Sequence, residues 1–479
     1  MSFEECELAI LRKAIDSAEY KEGRKLINNP EIQEIIDIVE NFLRTQKRIC
    51  YGGTAINNIL PIEDQFYDKA IELPDYDFFS PDPMNDAKKL ADIYFKKGFT
   101  EVEAKSGVHA GTFKVFVNFI PVADITYLVP ELFNSIKKKA ISVDGILYSP
   151  PNYLRMLMYL ELSRPAGDIS RWEKVLKRIT LLNKNYPLRG KDCDFIEIQR
   201  IIDPKSKLTK KQQDLIFDVT RNSFISQGVV FFGAMANEMY LKYYKKYRGH
   251  LLPKVPDFDV LSVDPKQTAT ILKERLTAVG LTKIKVKKNK GVGEIIAPHY
   301  EILVHGETIA FIYEPLACHS YNVVNIAGRK VKVATIDTML SFYLAFIYVN
   351  RPYYDPNRII CMSEFLFKVQ QKNRLQQKGI LKRFSINCYG KQLTMEKIRE
   401  EKTEKYKELK NKRNSKEWDW YFLKYSPADK DEKKMTKLQE NKKNKKNKKH
   451  SKKNKTRKRK KRRSKRKTLR SRVANLLGI

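Results

Sequence analysis

The chain has 479 residues, 42% of them hydrophobic, and a formal net charge of +37, which allows two or three cored domains and points to a polyanionic partner, most simply nucleic acid. The charge is uneven: residues 441–472 carry 21 Lys and Arg and no acid, leaving 72 basic against 56 acidic residues in 1–440. Six scattered histidines and six cysteines, no two of the latter closer than 27 positions, argue against a zinc site and a secreted disulfide framework. The N-terminus has no apolar signal region, and Met339–Val349, the longest nearly apolar run, is too short to span a bilayer. The expectation is a soluble intracellular protein with no membrane partner.

In chain order, Ile32, Ile35, Ile36, Val39 and Leu43 recur at helical spacing after an Asn29-Pro30 start signal. "KRICYGG" (47–53) reads as a short strand ending in a glycine turn. "DYDFF" (75–79) and "TFKVFVNFIPVADITYL" (112–128) read as strands, and "NYLRMLMYLELSRP" (152–165) and "DISRWEKVLKRITLLNKN" (168–185) as helices. The order then repeats. "YGGTAIN" (51–57) lies over "FFGAMAN" (231–237), "PDYDFFS" (74–80) over "PDFDVLS" (256–262), and "RPAGDISR" (164–171) over "RPYYDPNR" (351–358), at offsets of 180, 182 and 187. Three motifs in near-constant register indicate a tandem duplication within an α+β chain. Beyond residue 430 the composition turns to Lys, Arg, Asn and Ser, which cannot bury enough apolar surface to order itself, so a disordered tail is expected.

In the first copy, Asp75 and Asp77 project to one face if they lie on a strand. Close carboxylates repel unless a cation lies between them, and hard oxygen ligands select Mg²⁺ or Mn²⁺. Asp124, in the strand-like "PVADITYL", would be costly to bury alone and supplies a third carboxylate. Three such groups can hold two metal ions that activate a hydroxyl and neutralise a leaving pyrophosphate. Gly52 and Gly53 allow close backbone approach at a strand-to-helix turn, where free N–H groups attract phosphate; Thr54 adds a hydroxyl and Lys114 a cation.

The combination Gly-Gly-Thr, helix, Asp-x-Asp and later Asp resembles the nucleotidyltransferase superfamily of the polymerase β type. More narrowly, "CYGGTAIN", "LPDYDFFS", "GTFKVFVNFIPVADITYL" and "SRPAGDISRWEKVLKR" are similar to the poly(A) polymerase catalytic subunits of poxviruses and other large DNA viruses, over roughly residues 45–395. The resemblance implies template-independent transfer of AMP from ATP to the 3′ end of mRNA. Asp75, Asp77 and Asp124 would be catalytic and bind two Mg²⁺ or Mn²⁺ ions, and Gly52, Gly53, Thr54 and Lys114 would bind nucleotide. It also implies a virion and host-cytoplasm location and a homodimer or processivity subunit. Poxvirus members carry a sizeable domain before the catalytic one, whereas about 45 residues precede it here. The expected layout is a catalytic nucleotidyltransferase domain with its helices at 1–195, a degenerate copy at 196–395, a C-terminal extension at 396–429 and the basic tail at 430–479.

The second copy keeps Asp257 and Asp259. In the alignment above, Phe232 replaces the first glycine, Ala234 replaces the threonine, and Phe311 or Ala310 replaces the third acid, which reads as a catalytically dead half. Arg164, Asp168 and Arg171 recur as Arg351, Asp355 and Arg358, so a structural Arg–Asp pair is favoured over a substrate contact. Tyr240, Tyr243, Tyr244 and Tyr247, interleaved with lysines and Arg248, fit either an inward-packed helix or an RNA surface. Competing readings are a uridylyltransferase, a second-messenger synthase and an inert RNA-binding scaffold.

Overall fold

The computed structural model describes residues 3–68, 70–193, 208–244 and 254–430. The expected disordered tail, together with Tyr247 and Arg248, lies outside the described residues. The chain opens with helices α1 (Phe3–Ile27) and α2 (Pro30–Gln46). The start signal works as read: the Asn29 side chain accepts the Glu31 N–H at 2.9 Å, and Ile32, Ile35, Val39, Phe42 and Leu43 bury one face of α2. Then follow β1 (Ile49–Cys50), α3 (Gly52–Ile59), β2 (Tyr76–Ser80), α4 (Pro83–Lys96), β3 (Val102–Ser106), β4 (Thr112–Val117), β5 (Ile120–Tyr127), α5 (Pro130–Lys137), β6 (Ile141–Val143), β7 (Ile146–Tyr148), α6 (Pro151–Leu162) and α7 (Trp172–Asn185). On β4 the alternation is strict: Phe113, Val115 and Val117 are buried, while Thr112, Lys114 and Phe116 face the opposite side. The β4–β5 hairpin turns through Asn118 and Phe119, both at positive φ (49° and 65°), as a tight two-residue turn requires.

The second half repeats the plan as α8 (Lys210–Gln227), β8 (Val230–Phe232), α9 (Gly233–Leu241), β9 (Phe258–Leu261), α10 (Pro265–Ala278), β10 (Ile284–Asn289), β11 (His299–Val304), β12 (Glu307–Tyr313), β13 (His319–Ile326), β14 (Arg329–Ala334), α11 (Ile336–Phe346) and α12 (Pro356–Lys372). The last elements among the described residues are β15 (Cys388–Tyr389), α13 (Met395–Leu409), α14 (Lys416–Phe422) and β16 (Lys424–Tyr425). The first sheet has strand order β16-β3-β4-β5-β2-β1-β7-β6, and the second β10-β11-β12-β9-β8-β14-β13-β15. Without β16 and β15 the two orders match strand for strand, and the parallel pairs match too: β2 with β5 and β1 with β7, then β9 with β12 and β8 with β14. The C-terminal extension returns to the first unit, where β16 pairs with β3 and Trp420 packs edge-on against Phe113 and Tyr127.

The units share one hydrophobic core. Tyr153 on α6 meets Tyr348 just beyond α11 edge-to-face, Ser320 N–H donates to the Ser163 carbonyl at 2.8 Å, and Arg351 pairs with Glu131 at 2.8 Å. Met339–Val349 is buried throughout, as its composition required. The cysteines depart from expectation: Cys193 bonds Cys361 and Cys318 bonds Cys388, across 168 and 70 residues. Such distant partners leave no local spacing signal.

Candidate active site

β1 delivers the chain to Tyr51, in extended conformation (φ −136°, ψ −170°), and α3 begins at once with Gly52 at φ +77°. Only glycine takes that conformation without strain. A Cβ there would stand 2.5 Å from Asp77 Oδ2, so the turn lies directly against the carboxylate. At Gly53 a Cβ would strike the Tyr67 hydroxyl and come within 2.9 Å of Arg178 Nη2. Thr54 is buried, and its Oγ1 donates to the Asp75 carbonyl at 2.7 Å. In this arrangement its hydroxyl tethers the residue that carries the first acid.

Asp75 sits one residue before β2 and Asp77 within it. Asp77 lies in register with Asp124 on the neighbouring parallel strand β5, and Asp124 with Lys114 on β4. Lys114 Nζ makes an ion pair with Asp124. The three carboxylates sense one another. Burial pushes Asp77 up to about 7, with the Asp75 and Asp124 charges adding to the rise and Lys114 and Arg171 opposing it. Asp75 is raised as well, by desolvation first and then by Asp124. This is the signature of carboxylates gathered without enough positive charge. Among the described residues no three acidic, histidine or cysteine side chains form a ready-made ion site: Asp124 is drawn onto Lys114, and a cation would compete for it. The donor set suits a hard divalent ion.

The second unit corrects the expected alignment by one residue. Phe232 has the backbone of Tyr51 (φ −137°, ψ −169°), and Gly233, at φ +76° against Asp259, has that of Gly52. The first glycine is therefore retained; Gly53 becomes Ala234 and Thr54 becomes Met235. On β12 the residue in register with Asp259 is Phe311, which settles the position of Asp124 on Phe311 rather than Ala310. Glu301 lies in register with Phe311 and replaces Lys114. Phe231–Asn237 is buried throughout, whereas Tyr51, Gly52 and Gly53 are partly open.

A family profile described as "Poly(A) polymerase catalytic subunit" matches residues 37–168. A protein of Acanthamoeba polyphaga mimivirus named "Putative poly(A) polymerase catalytic subunit" is 26% identical over 432 residues, covering 80% of this chain and 72% of the relative. The chain is similar to these viral poly(A) polymerase catalytic subunits, most strongly over its first unit. An African swine fever virus protein of the same name is 34% identical over 167 residues, covering 34% of this chain and 35% of the relative, about a third of each. The fold is that of the Megavirus polyadenylate synthase crystal structure, with a TM-score of 0.74 at 22% identity over 89% of this chain and 86% of that one.

Sequence reasoning missed Tyr67 and Arg178. Arg178 donates to the Tyr67 hydroxyl at 2.6 Å and stands over the Phe66 and Tyr67 rings beside Gly53. No spacing links them: Tyr67 is in a loop and Arg178 on α7. The expected Arg–Asp pairing is also corrected. Asp168 and Asp355 instead cap the helical turns that follow them, accepting from Ser170 and Arg358 N–H. The arginines pair elsewhere: Arg171 with Glu161 at 3.1 Å, Arg351 with Glu131, and Arg358 with Asp257 at 3.8 Å. Arg171, the residue just before α7, is also, after Lys114, a cation whose charge opposes the rise at Asp77. Tyr240 packs inward, fully buried, with its hydroxyl bonded to the Ala334 and Ile380 carbonyls. Cys50 is buried and free.

Proposed function

We propose that the chain is a polynucleotide adenylyltransferase that moves AMP from ATP to the 3′ end of mRNA. The 3′ oxygen bonds to the α-phosphorus and the bond to the departing pyrophosphate breaks. The observation that carries this reading is the register of Asp77 with Asp124 on adjacent parallel strands, with Asp75 within their field, all against the Gly52 turn. Two divalent ions, Mg²⁺ or Mn²⁺, held by Asp75, Asp77 and Asp124 would supply a more acidic 3′-hydroxyl and neutralise the leaving group. Gly52 and Gly53 let the phosphates approach the N-terminal N–H groups of α3, whose dipole favours anions. Thr54 keeps Asp75 in place through its carbonyl, and Lys114 offers an ammonium one strand beyond Asp124.

Incorporation onto an RNA primer from each of the four ribonucleoside triphosphates, in Mg²⁺ and in Mn²⁺, tests the reading. ATP should be preferred, chelation should abolish incorporation, Asp77→Ala and Asp124→Ala should be inactive, and Asp257→Ala should stay close to wild type. A preference for UTP would move the chain to uridylyl transfer. Sedimentation with and without RNA tests whether two copies pair, and a primer-length series tests the need for a processivity partner. The relatives are viral proteins, so work in the host cytoplasm and packaging in the virion follow as proposals, checked by fractionation. Among the described residues no helix is long and apolar enough to cross a membrane.

A further inference from the structure

The open face of the first sheet carries a row of charges that runs beyond the residues proposed for nucleotidyl transfer. Register partners run in one line across five strands: Asp77 on β2, Asp124 on β5, Lys114 on β4, Lys105 on β3 and Lys424 on β16. Residues opposite one another in register project from the same side of a sheet. The Lys114–Asp124 ion pair and the Lys105 ammonium, 4.0 Å from the centre of the Phe116 ring, show that side to be the open one. From the carboxylates outward the row changes from acid to base in steps of about 4.8 Å, the spacing between strands.

Lys105 and Lys424 are like charges directly opposite each other, an unfavourable pairing unless an anion lies across them. Glu103 answers Lys105 at 3.1 Å; Lys424 is exposed and has no ion pair among the described residues. The second unit is an internal control. Its equivalent row reads Asp259, Phe311, Glu301, Lys287, the lysine is neutralised by Glu301 at 3.1 Å, and the sheet ends there. The extra cation comes from β16, a strand with no counterpart at that edge of the second sheet, and the chain runs on from β16 toward the Lys/Arg-rich residues 441–472.

We propose that Lys105 and Lys424 bind phosphates of the single-stranded RNA behind its 3′ end and lead that end across the open sheet face to Asp77 and Asp124. The inference rests on the adenylyl-transfer reading for where the 3′ end must arrive. The alternative occupant is solvent, with the lysines merely guarding an edge strand against pairing.

The test is Lys105→Glu/Lys424→Glu in the full chain. Binding of a labelled oligoadenylate is measured over a salt series without ATP. Two lost phosphate contacts, at about 0.7 each on a single strand, should make the log–log salt slope shallower by about 1.4. Primer KM should rise several-fold, while KM for ATP and kcat at saturating primer hold. Lys285→Glu on β10, the matching edge of the second sheet, should leave slope and KM unchanged, and melting curves confirm that each variant folds. A wild-type slope and primer KM in a folded double variant would overturn the track and leave the edge-guard role. A raised KM for ATP with an unchanged RNA slope would also overturn it. RNA binding with the expected slope difference but no incorporation by the wild type would sink the transfer reading and leave the track standing.

Discussion

Asp77→Asn separates a carboxylate built for a cation from one that merely supports the fold. Burial and the Asp75 and Asp124 charges push Asp77 from 3.8 up to about 7. A folded pKa above the unfolded value means that the native chain holds the proton more tightly. The stability this group contributes is full below about pH 4 and is lost as pH rises toward 7. Three units at 1.36 kcal/mol each set a ceiling of about 4 kcal/mol, and water in the half-open cleft screens this to ~1–2 kcal/mol. Asparagine keeps the shape without the charge. At pH 8 in chelator the variant should therefore melt higher than wild type, by about 1 °C per kcal/mol for a chain of this length, and the two curves should converge near pH 4. Adding Mg²⁺ or Mn²⁺ at pH 8 should raise the wild-type melting temperature, because the ion binds only the folded state, and should barely move the variant. ATP incorporation by the variant should be nearly lost. Thermal melts from pH 4 to 8, with and without divalent ion, together with a primer-extension assay, measure all of this. A variant that melts lower than wild type at pH 8, by a margin that does not change with pH, would refute the reasoning.

The remaining predictions concern the turn, the tether and the tail. Gly52→Ala places a Cβ in the left-handed region and against Asp77, so it should cost ~1–2 kcal/mol of stability and most of the activity; Gly233→Ala should show a comparable melting loss with activity retained. Thr54→Val removes the hydroxyl that holds the Asp75 carbonyl, and should cost ~1 kcal/mol in melting and lower kcat more than it raises KM for RNA. Truncation after Lys430 should flatten the salt dependence of RNA binding and weaken affinity, while turnover at saturating primer survives, because every proposed metal ligand lies before residue 125. A full-length salt slope in the truncated chain would assign RNA holding to the folded body.

What was legible in the sequence was local. The Asn29-Pro30 cap, the strands within 112–128 and the apolar stripe of α2 are each set by residues close together in the chain, and each formed as written. The three acids were legible because a carboxylate in an apolar strand is conspicuous wherever its partner lies. Illegible were facts set by distant chain: the Cys193–Cys361 pairing, the placement of Arg178 beside Gly53, and the addition of β16 to β3. A two-residue strand has no periodicity to read, and the residues flanking it give no hint of the edge it joins.

The one-residue error in aligning the two halves shows which physical quantity the duplication kept. Matching letters aligned Gly53 with Gly233 and Asn57 with Asn237, at an offset of 180. Strand pairing demands 181: Cys50 opposite Phe78 corresponds to Phe231 opposite Val260, and both turns place a glycine of positive φ against the second aspartate. That glycine survives in the half without the third acid, so its retention reports the strand-to-helix geometry rather than chemistry. The residues that changed, Gly53 to Ala234, Thr54 to Met235, Asp124 to Phe311 and Lys114 to Glu301, are the ones proposed above to serve the site. Ala234 and Met235 close the turn, and Phe311 packs with its ring centre 4.7 Å from that of Tyr353, placing an apolar core residue where the first unit has the Asp124 carboxylate. In the same unit α11 packs against α6 of the first, and Tyr348 just beyond α11 meets Tyr153 edge-to-face, so the closed half buttresses the helix that leads toward Arg171.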